Sequence, residues 1–252
     1  GDNTVVSRSS PVQVGTSSWS LVNITNSTTV ALDISGSLFT WGSNNNGQLG
    51  INDIADRSSP VQIGSSSWSA VSSGISSVIG ISATRLFAWG GNSNGQLGLN
   101  DIVNRSSPVQ VGTLSWVSTT TYGALTAAAI RSDGALFGWG FNTNGQIGDS
   151  TVLHRSSPVQ VGSSSWSVVG ASIGNAIDSK KGLYSWGNGT AGELGIGQLG
   201  QRTSPTGWIS AESYPESWTS VTVNSQSGAA IRIDGKLFTW GLNTDGQLGN
   251  NT

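Results

Sequence analysis

The sequence contains no cysteine and no methionine, and its only histidine is His154. Without cysteine there can be no disulfide framework, no thiolate metal site and no cysteine nucleophile. A single histidine also excludes a multi-histidine metal site and leaves one candidate base for a serine nucleophile. We therefore expect a protein that is not an enzyme, with no catalytic residues, no bound metal and no cofactor.

Charge is scarce as well, since charged residues make up 10% of the chain, against roughly 25% in typical soluble domains. The net charge of −2 disfavours a nucleic-acid partner, because binding to phosphates requires an excess of positive side chains. No apolar run approaches the roughly 18 residues of a membrane span. No targeting segment and no initiator methionine are present, so we expect a chain that is processed or taken from something longer.

The dominant feature of the sequence is an internal repeat. Copies of Arg-Ser-Ser-Pro begin at Arg8, Arg57, Arg105 and Arg155, with a degraded copy at Arg202. Each unit also contains a Ser-Trp pair, a Trp-Gly pair and a closing Gly-(Gln/Glu)-(Leu/Ile)-Gly. The repeats are predicted to span approximately 1–49, 50–97, 98–147, 148–194 and 195–252 within a single domain.

Each unit is predicted to supply four short strands. For the first unit they are expected at Trp19–Ile24, Thr29–Ile34, Leu38–Trp41 and Pro60–Ile63. These runs are rich in β-branched and aromatic residues and are separated by Gly, Asn, Asp and Ser. Because proline cannot donate to a sheet ladder, Pro60 is expected to open an edge strand.

A small sheet that recurs in this way is typical of one blade of a β-propeller. One such sheet cannot bury both faces alone, whereas neighbouring blades cover one another. We therefore predict an all-β fold, a β-propeller of five four-stranded blades. The predicted structural repeat positions are the tryptophans Trp41, Trp89, Trp139, Trp186 and Trp240, which fill the space between blades, and the turn glycines Gly47, Gly95, Gly145, Gly192 and Gly246.

The ten residues Trp-Gly-x-Asn-x-x-Gly-Gln-Leu-Gly from Trp41 to Gly50 resemble the repeat signature of the regulator of chromosome condensation (RCC1) family. The copy at Trp186 departs from it, with Gly189 in place of Asn and Glu193 in place of Gln. The resemblance implies an RCC1-like β-propeller, usually of seven blades. It leaves the function open, because family members range from a GTPase exchange factor to a photoreceptor and a β-lactamase inhibitor.

Five units leave two arrangements open. The first unit begins with a fourth-strand piece, Pro11 to Val14, and the last ends after a third strand. These ends are complementary halves of one blade, which favours a closed five-bladed ring. The alternative is a five-blade arc of a longer, seven-bladed propeller, whose end blades would expose apolar faces.

Two features are candidates for binding. The repeated arginines would form a positive ring for an anion or an acidic partner. The favoured alternative is that each arginine pairs with a nearby acid, such as Asp56, Asp53 or Asp101, or caps carbonyl groups of its loop. The last unit carries an irregular insertion, and its residues Trp208, Glu212, Tyr214 and Glu216 form a candidate partner-binding loop. The alternative for this segment is a longer connection packed on the surface.

The sequence thus predicts a non-enzymatic protein-interaction or structural scaffold, bound to a protein partner or part of a larger assembly. Low charge, abundant Ser, Thr and Asn, and absent cysteine suit an extracellular, cell-surface or virion-associated protein better than a nuclear one. Two alternatives stay open. The resemblance alone implies a guanine-nucleotide exchange factor-like regulator of a small GTPase, and a glycan-binding propeller would require exposed aromatic side chains between blades.

Overall fold

The computed structural model describes residues 1–25, 27–65, 67–122, 125–170, 174–208, 217–224 and 226–249, except for the side chain of Tyr122. Every helix or strand within these ranges is a β-strand, which confirms the all-β prediction. No helix capable of crossing a bilayer occurs in the described part of the chain. The predicted loop residues Glu212, Tyr214 and Glu216 lie outside the described residues.

The strands form five antiparallel sheets, the predicted blades. Blade 1 contains β1 (Trp19–Ile24), β2 (Thr28–Asp33), β3 (Leu38–Gly42) and β4 (Arg57–Gln62). Blade 2 contains β5 (Trp68–Ser73), β6 (Ser77–Ser82), β7 (Arg85–Gly90) and β8 (Arg105–Gln110). Blade 3 contains β9 (Trp116–Tyr122), β10 (Thr126–Arg131), β11 (Leu136–Gly140) and β12 (Arg155–Gln160). Blade 4 contains β13 (Trp166–Val169), β14 (Asn175–Asp178), β15 (Leu183–Gly187) and β16 (Arg202–Gly207). Blade 5 contains β17 (Trp218–Val223), β18 (Ser227–Arg232) and β19 (Leu237–Gly241).

The fourth strand of each complete blade comes from the sequence repeat that follows. It lies at the edge of its sheet, as predicted, but β4 starts at Arg57 instead of Pro60. The pairing of β3 with β4 shifts register between Thr40 and Gly42. Pro60 lies within the strand near this irregularity, where its missing N–H costs less than it would in a regular ladder.

The hydrophobic core is divided among the gaps between consecutive blades. In each gap, a leucine from the third strand of one blade packs in the same cluster as the first-strand tryptophan of the next. The pairs are Leu38 and Trp68, Leu86 and Trp116, Leu136 and Trp166, and Leu183 and Trp218. Each blade is therefore stabilised by its neighbour, which is how small sheets obtain a buried face.

The two end blades are less covered than the inner blades in the described residues. Blade 5 has three strands in the described residues, against four in each of the other blades, and the predicted number of five blades is confirmed. Leu237 of blade 5 is 65% exposed, whereas the equivalent Leu136 is fully buried, and Val22 of blade 1 is also exposed. Among the described residues no hydrophobic cluster joins blade 5 to blade 1. The structure therefore does not show the closed ring that the sequence favoured.

Candidate functional site

The longest connections in the blades are the loops between the third and fourth strands, residues 43–56, 91–104, 141–154 and 188–201, which we call the long loops. Each contains the Gly-(Gln/Glu)-(Leu/Ile)-Gly motif and ends at the arginine that opens the fourth strand. Because they connect equivalent strands, they emerge from the same end of every blade. This end of the propeller is the candidate functional site.

A buried asparagine holds together the two halves of a long loop. In blade 2, the amide nitrogen of Asn92 donates to the carbonyl oxygens of Asp101 at 3.0 Å and Val103 at 3.2 Å. Its Oδ1 accepts from the backbone N–H of Leu97 at 2.9 Å. Asn44 and Asn142 occupy the same position and make the same kinds of bonds. Since an unpaired buried amide would be costly, these bonds fix the loop conformation.

The repeated arginines are mostly neutralised within their own loops. Ion pairs join Arg57 to Asp53, Arg105 to Asp101, Arg155 to Asp149 and Arg8 to Asp2. Arg202 instead donates to the Oε1 atom of Gln198 at 2.8 Å. The backbone amide of Ala55 lowers the pKa of Asp53 most, and Arg57 lowers it further against the effect of desolvation. The pairing interpretation of these arginines therefore fits the structure better than a ring of free positive charge.

The long loops also tie each blade to the next. The indole Nε1 of Trp89 donates to the carbonyl oxygen of Gln48 in the preceding loop at 3.1 Å. A backbone bond of 2.7 Å joins the N–H of Asn52 to the carbonyl oxygen of Ser106 on β8. Of the predicted tryptophan positions, Trp89, Trp139, Trp186 and Trp240 are buried, and Trp41 in the end blade is half-buried.

The turn glycines permit this close approach between blades. Gly47, Gly95, Gly145, Gly192 and Gly246 all have positive φ values, between 71° and 80°. A Cβ atom added at Gly47 would lie 2.6 Å from the Cα atom of Ser106 in the next blade, and one at Gly95 would lie as close to Ser156. Any other residue at these two positions would therefore combine backbone strain with a steric clash.

His154 has a partner that its sequence spacing did not indicate. Its Nδ1 accepts the backbone N–H of Asn142 at 3.0 Å, and its ring stacks on Phe141. Asp56 and Asn104 accept the equivalent N–H groups in the first two loops. Asp, Asn and His differ in charge and shape, but each has a side-chain atom that can accept a hydrogen bond. Their common role as acceptors for the asparagine N–H therefore becomes evident only from the structure.

The long loop of blade 4 contains an unusual buried carboxyl group. Glu193 stands where the other loops have glutamine, and its side chain is fully buried. Its Oε2 accepts the backbone N–H of Ala191 at 2.6 Å, while its Oε1 has no hydrogen-bond partner among the described residues.

Trp208 is the one member of the predicted partner-binding loop that the structure describes. Its indole packs edge-on against Trp218 and Trp240, at centroid distances of 5.5 Å and 4.4 Å. Its Nε1 donates to the carbonyl oxygen of Leu194 at 3.1 Å. The side chain is half-buried and adjoins the core between blades 4 and 5. Most of its surface is therefore committed to packing, so Trp208 is a poor anchor for a partner.

The sequence analysis missed the tips of the long loops, which expose aliphatic side chains. Ile54, Ile102, Val152 and Leu199 each lie three residues before the arginine of their loop and are exposed. The signal was present in the repeat: this position is aliphatic in every unit, although the chain is otherwise dominated by small polar residues.

A metal site and a surface depression are the remaining candidate features to consider. No group of three or more His, Asp or Glu side chains within them is placed to hold a metal ion. A surface depression of about 580 Å³ is lined by Ser67, Ser69, Ser82, Ala83 and Thr84, which include no acid–base pair.

Comparison with solved structures shows the same fold in several proteins. Human WBSCR16 superimposes with a TM-score of 0.76 and 21% identity, over 92% of this chain and 63% of its own. Prp20p from Saccharomyces cerevisiae gives a TM-score of 0.77 and 19% identity, over 92% of this chain and 60% of its own. Yeast RCC1 (Prp20) bound to Kap60 gives a TM-score of 0.75 and 19% identity, over 88% of this chain and 56% of its own. The chain therefore spans about three-fifths of the length of these structures.

Comparison with family models identifies the repeat itself, while a search of curated protein sequences gives no significant match. The model of the regulator of chromosome condensation (RCC1) repeat matches residues 35–81, 85–130, 133–177 and 234–252, more than half of the chain. A second model of the same repeat matches residues 20–48 and 117–146. Together with the blades described above, these matches show that the chain belongs to the RCC1 repeat family.

Proposed function

We propose that this protein is a non-enzymatic scaffold that binds a protein partner through the long-loop end of its propeller. The observation that carries the proposal is the internal bonding of the long loops of blades 1, 2 and 3, in which a buried asparagine, an Asp–Arg pair and a backbone bond to the next blade fix the loop. Surfaces fixed before binding lose little conformational entropy on association. Catalysis has no comparable support in the described residues, which contain no cluster of three or more His, Asp or Glu side chains placed to hold a metal ion.

The similar structures support protein binding as a use of this fold. Prp20p has been described with its binding properties to Gsp1p and histones, and yeast RCC1 with Kap60 bound. An exchange-factor function for this chain rests on family membership alone. Glycan binding has less support, because the described aromatic residues pack mainly in the gaps between blades. Low charge and a net charge of −2 favour an extracellular, cell-surface or virion-associated setting over chromatin.

Quantitative cross-linking tests this proposal. The purified chain is incubated with extract and extracellular fluid from its source, and cross-linked proteins are identified by mass spectrometry and then purified. We expect at least one protein that binds saturably, with cross-links concentrated on the long loops. Absence of saturable protein binding, together with accelerated nucleotide release from a small GTPase or a hit on a glycan array, would contradict the scaffold function.

A further inference from the structure

The tips of the long loops repeat one feature that the scaffold function does not itself require. The residue three positions before each repeat arginine is Ile54, Ile102, Val152 or Leu199 in the long loops and Val5 in the N-terminal segment that precedes Arg8. These five side chains are between 47% and 96% exposed. In three of the units the next residue is also an exposed aliphatic one, namely Val6, Val103 or Leu153. We call this set of side chains the apolar rim.

The opposite end of the blades lacks this regularity. At that end, the second strand of each blade turns into the third. The residue that follows the partner of the first-strand tryptophan is equivalent in all five turns. These residues are Ile34, Ala83, Ser132, Ser179 and Ile233. Lys180 and Lys181 follow Ser179 in one of these turns. Exposed aliphatic residues are thus sporadic at that end and recurrent at the long-loop end. Scattered apolar surface residues are ordinary, whereas a recurrent set indicates a contact surface.

The polar groups near the rim are already engaged within the loops. The backbone N–H of Val103 donates to Asp101 Oδ1 at 3.0 Å, and its carbonyl oxygen accepts from Arg105 at 2.9 Å. In the first loop, the backbone N–H of Ala55 likewise donates to Asp53 Oδ1, and its carbonyl oxygen accepts from Arg57. Ion pairs join Arg57 to Asp53 and Arg105 to Asp101, which leaves Asp56 as the one carboxylate of these two loops that is not paired with an arginine. The tips therefore present apolar side chains beside polar groups that are bonded within the loops, and they carry no unpaired positive charge in these two loops.

The first two long loops are in contact with each other. The Nδ2 of Asn104, in the second long loop, donates to the Oδ1 of Asn46, in the first, at 3.3 Å. The rim residues Ile54 and Ile102 belong to these same two loops.

We propose that the apolar rim is the contact surface for a protein partner whose own surface is apolar and weakly charged. This inference rests on the proposed scaffold function and specifies the chemistry of its partner. Charge decides between the possible occupants: paired arginines and a net charge of −2 provide no attraction for phosphates or anionic lipid headgroups. Desolvated aliphatic side chains surrounded by satisfied polar groups are the usual centre of a protein interface.

The test uses a phage-displayed library of random linear peptides, selected on the intact chain. We expect the enriched peptides to be rich in aliphatic and aromatic residues and poor in charge. The rim variant Ile54→Ser/Ile102→Ser should bind them at least about tenfold more weakly. Ile34→Ser, which removes an exposed isoleucine at the opposite end, is the matched control and should bind them normally. Urea unfolding midpoints equal to that of the unmodified chain verify that both variants are folded.

Selection of charged peptides, no enrichment at all, or equal binding to the rim variant would each overturn the inference. Flotation with phosphatidylcholine vesicles provides a second arm, and rim-dependent flotation would assign the surface to lipid instead. If a saturable protein partner is found but binds the rim variant normally, the scaffold function stands and the apolar rim is not its contact surface.

Discussion

The indole Nε1 of Trp139, on the third strand of blade 3, donates a hydrogen bond of 2.9 Å to the carbonyl oxygen of Gln96, in the long loop of blade 2. The same bond joins Trp89 to Gln48, Trp186 to Gln146 and Trp240 to Glu193. The Trp-Gly and Gly-(Gln/Glu)-(Leu/Ile)-Gly parts of the repeat signature are thus the two sides of a joint between blades. Their partners lie in neighbouring units, so the signature describes an interface between repeats.

This joint should make Trp139 more sensitive to substitution than another buried tryptophan in its blade. Trp116 is equally buried, but its Nε1 has no hydrogen-bond partner among the described residues. We expect Trp139→Phe to cost about 1–3 kcal/mol more than Trp116→Phe in the free energy of unfolding, because it leaves the buried Gln96 carbonyl unpaired. Urea unfolding of the two variants measures this difference, and equal losses would show that the joint contributes nothing beyond packing.

The glycine that closes the motif should be constrained by the same tryptophan. Gly98 has a φ of +71°, and a Cβ atom there would lie 2.9 Å from the Nε1 of Trp139. Gly112 has a φ of +59°, with nothing within 4 Å of its added Cβ. Both alanine variants should lose about 1–2 kcal/mol from backbone strain, and Gly98→Ala should lose more because the indole must move. Thermal unfolding compares them, and equal stability would contradict the close approach.

The buried carboxyl of Glu193 should reduce the stability of the protein. Its Oε1 has no hydrogen-bond partner among the described residues, and glutamine occupies the equivalent positions 48, 96 and 146. We expect Glu193→Gln to raise the free energy of unfolding by about 1 kcal/mol, since it removes a poorly satisfied ionisable group. Gln96→Glu, the reverse change in another loop, should lower it. A stabilising effect of Gln96→Glu would refute this explanation.

Acid should destabilise the protein as aspartates lose their hydrogen bonds. Hydrogen bonds from Thr4 and Arg8 lower the pKa of Asp2 from 3.8 to about 2, and Arg131 lowers that of Asp133 to about 2. Because these folded-state pKa values lie below the unfolded value, their stabilisation is complete above pH 3.8 and is lost as the pH falls towards 2. Urea midpoints measured over this range should fall less in Asp133→Asn than in the unmodified chain. Parallel decreases would exclude a contribution from Asp133.

Much of the fold was predictable because the strands of each repeat are marked by short local runs of β-branched and aromatic residues. β1 has the predicted bounds, Trp19–Ile24, and the third run begins at Leu38 as expected. The fourth strand was misplaced because its first residues, Arg57 to Ser59, are polar and resemble a loop. They are drawn into the sheet by pairing with β3, which a local pattern cannot reveal.

Trp208 occupies a regular position of the repeat that could not be recognised because the sequence around it has diverged. Its backbone N–H donates to the carbonyl oxygen of Leu183 at 3.0 Å, as that of Val161 does to Leu136 at 2.8 Å. Trp208 therefore occupies the repeat position of Val161, and counting from Arg202 would have placed it there. The sequence instead pointed to an insertion, because neither neighbour of Trp208 matches the repeat. The binding role of Glu212, Tyr214 and Glu216 stays a prediction.

The candidate site was harder to predict than the fold. The role of His154 depends on an acceptor atom that it shares with Asp56 and Asn104, and residue type alone does not identify such an equivalence. The exposure of the apolar rim was equally difficult to predict from the sequence, since aliphatic residues are more often buried.

Hydrogen–deuterium exchange in the long loop of residues 91–104 tests most directly whether these loops are rigid parts of the propeller. The amides of Asn94, Leu97 and Val103 donate to the side chains of Gln96, Asn92 and Asp101, and that of Asn100 donates to the carbonyl oxygen of Ser156 in the next blade. We predict that these amides exchange as slowly as those of the adjacent β7. Exchange at the rate of an unstructured peptide would show that the loops are flexible connections, and the preformed contact surface would not exist.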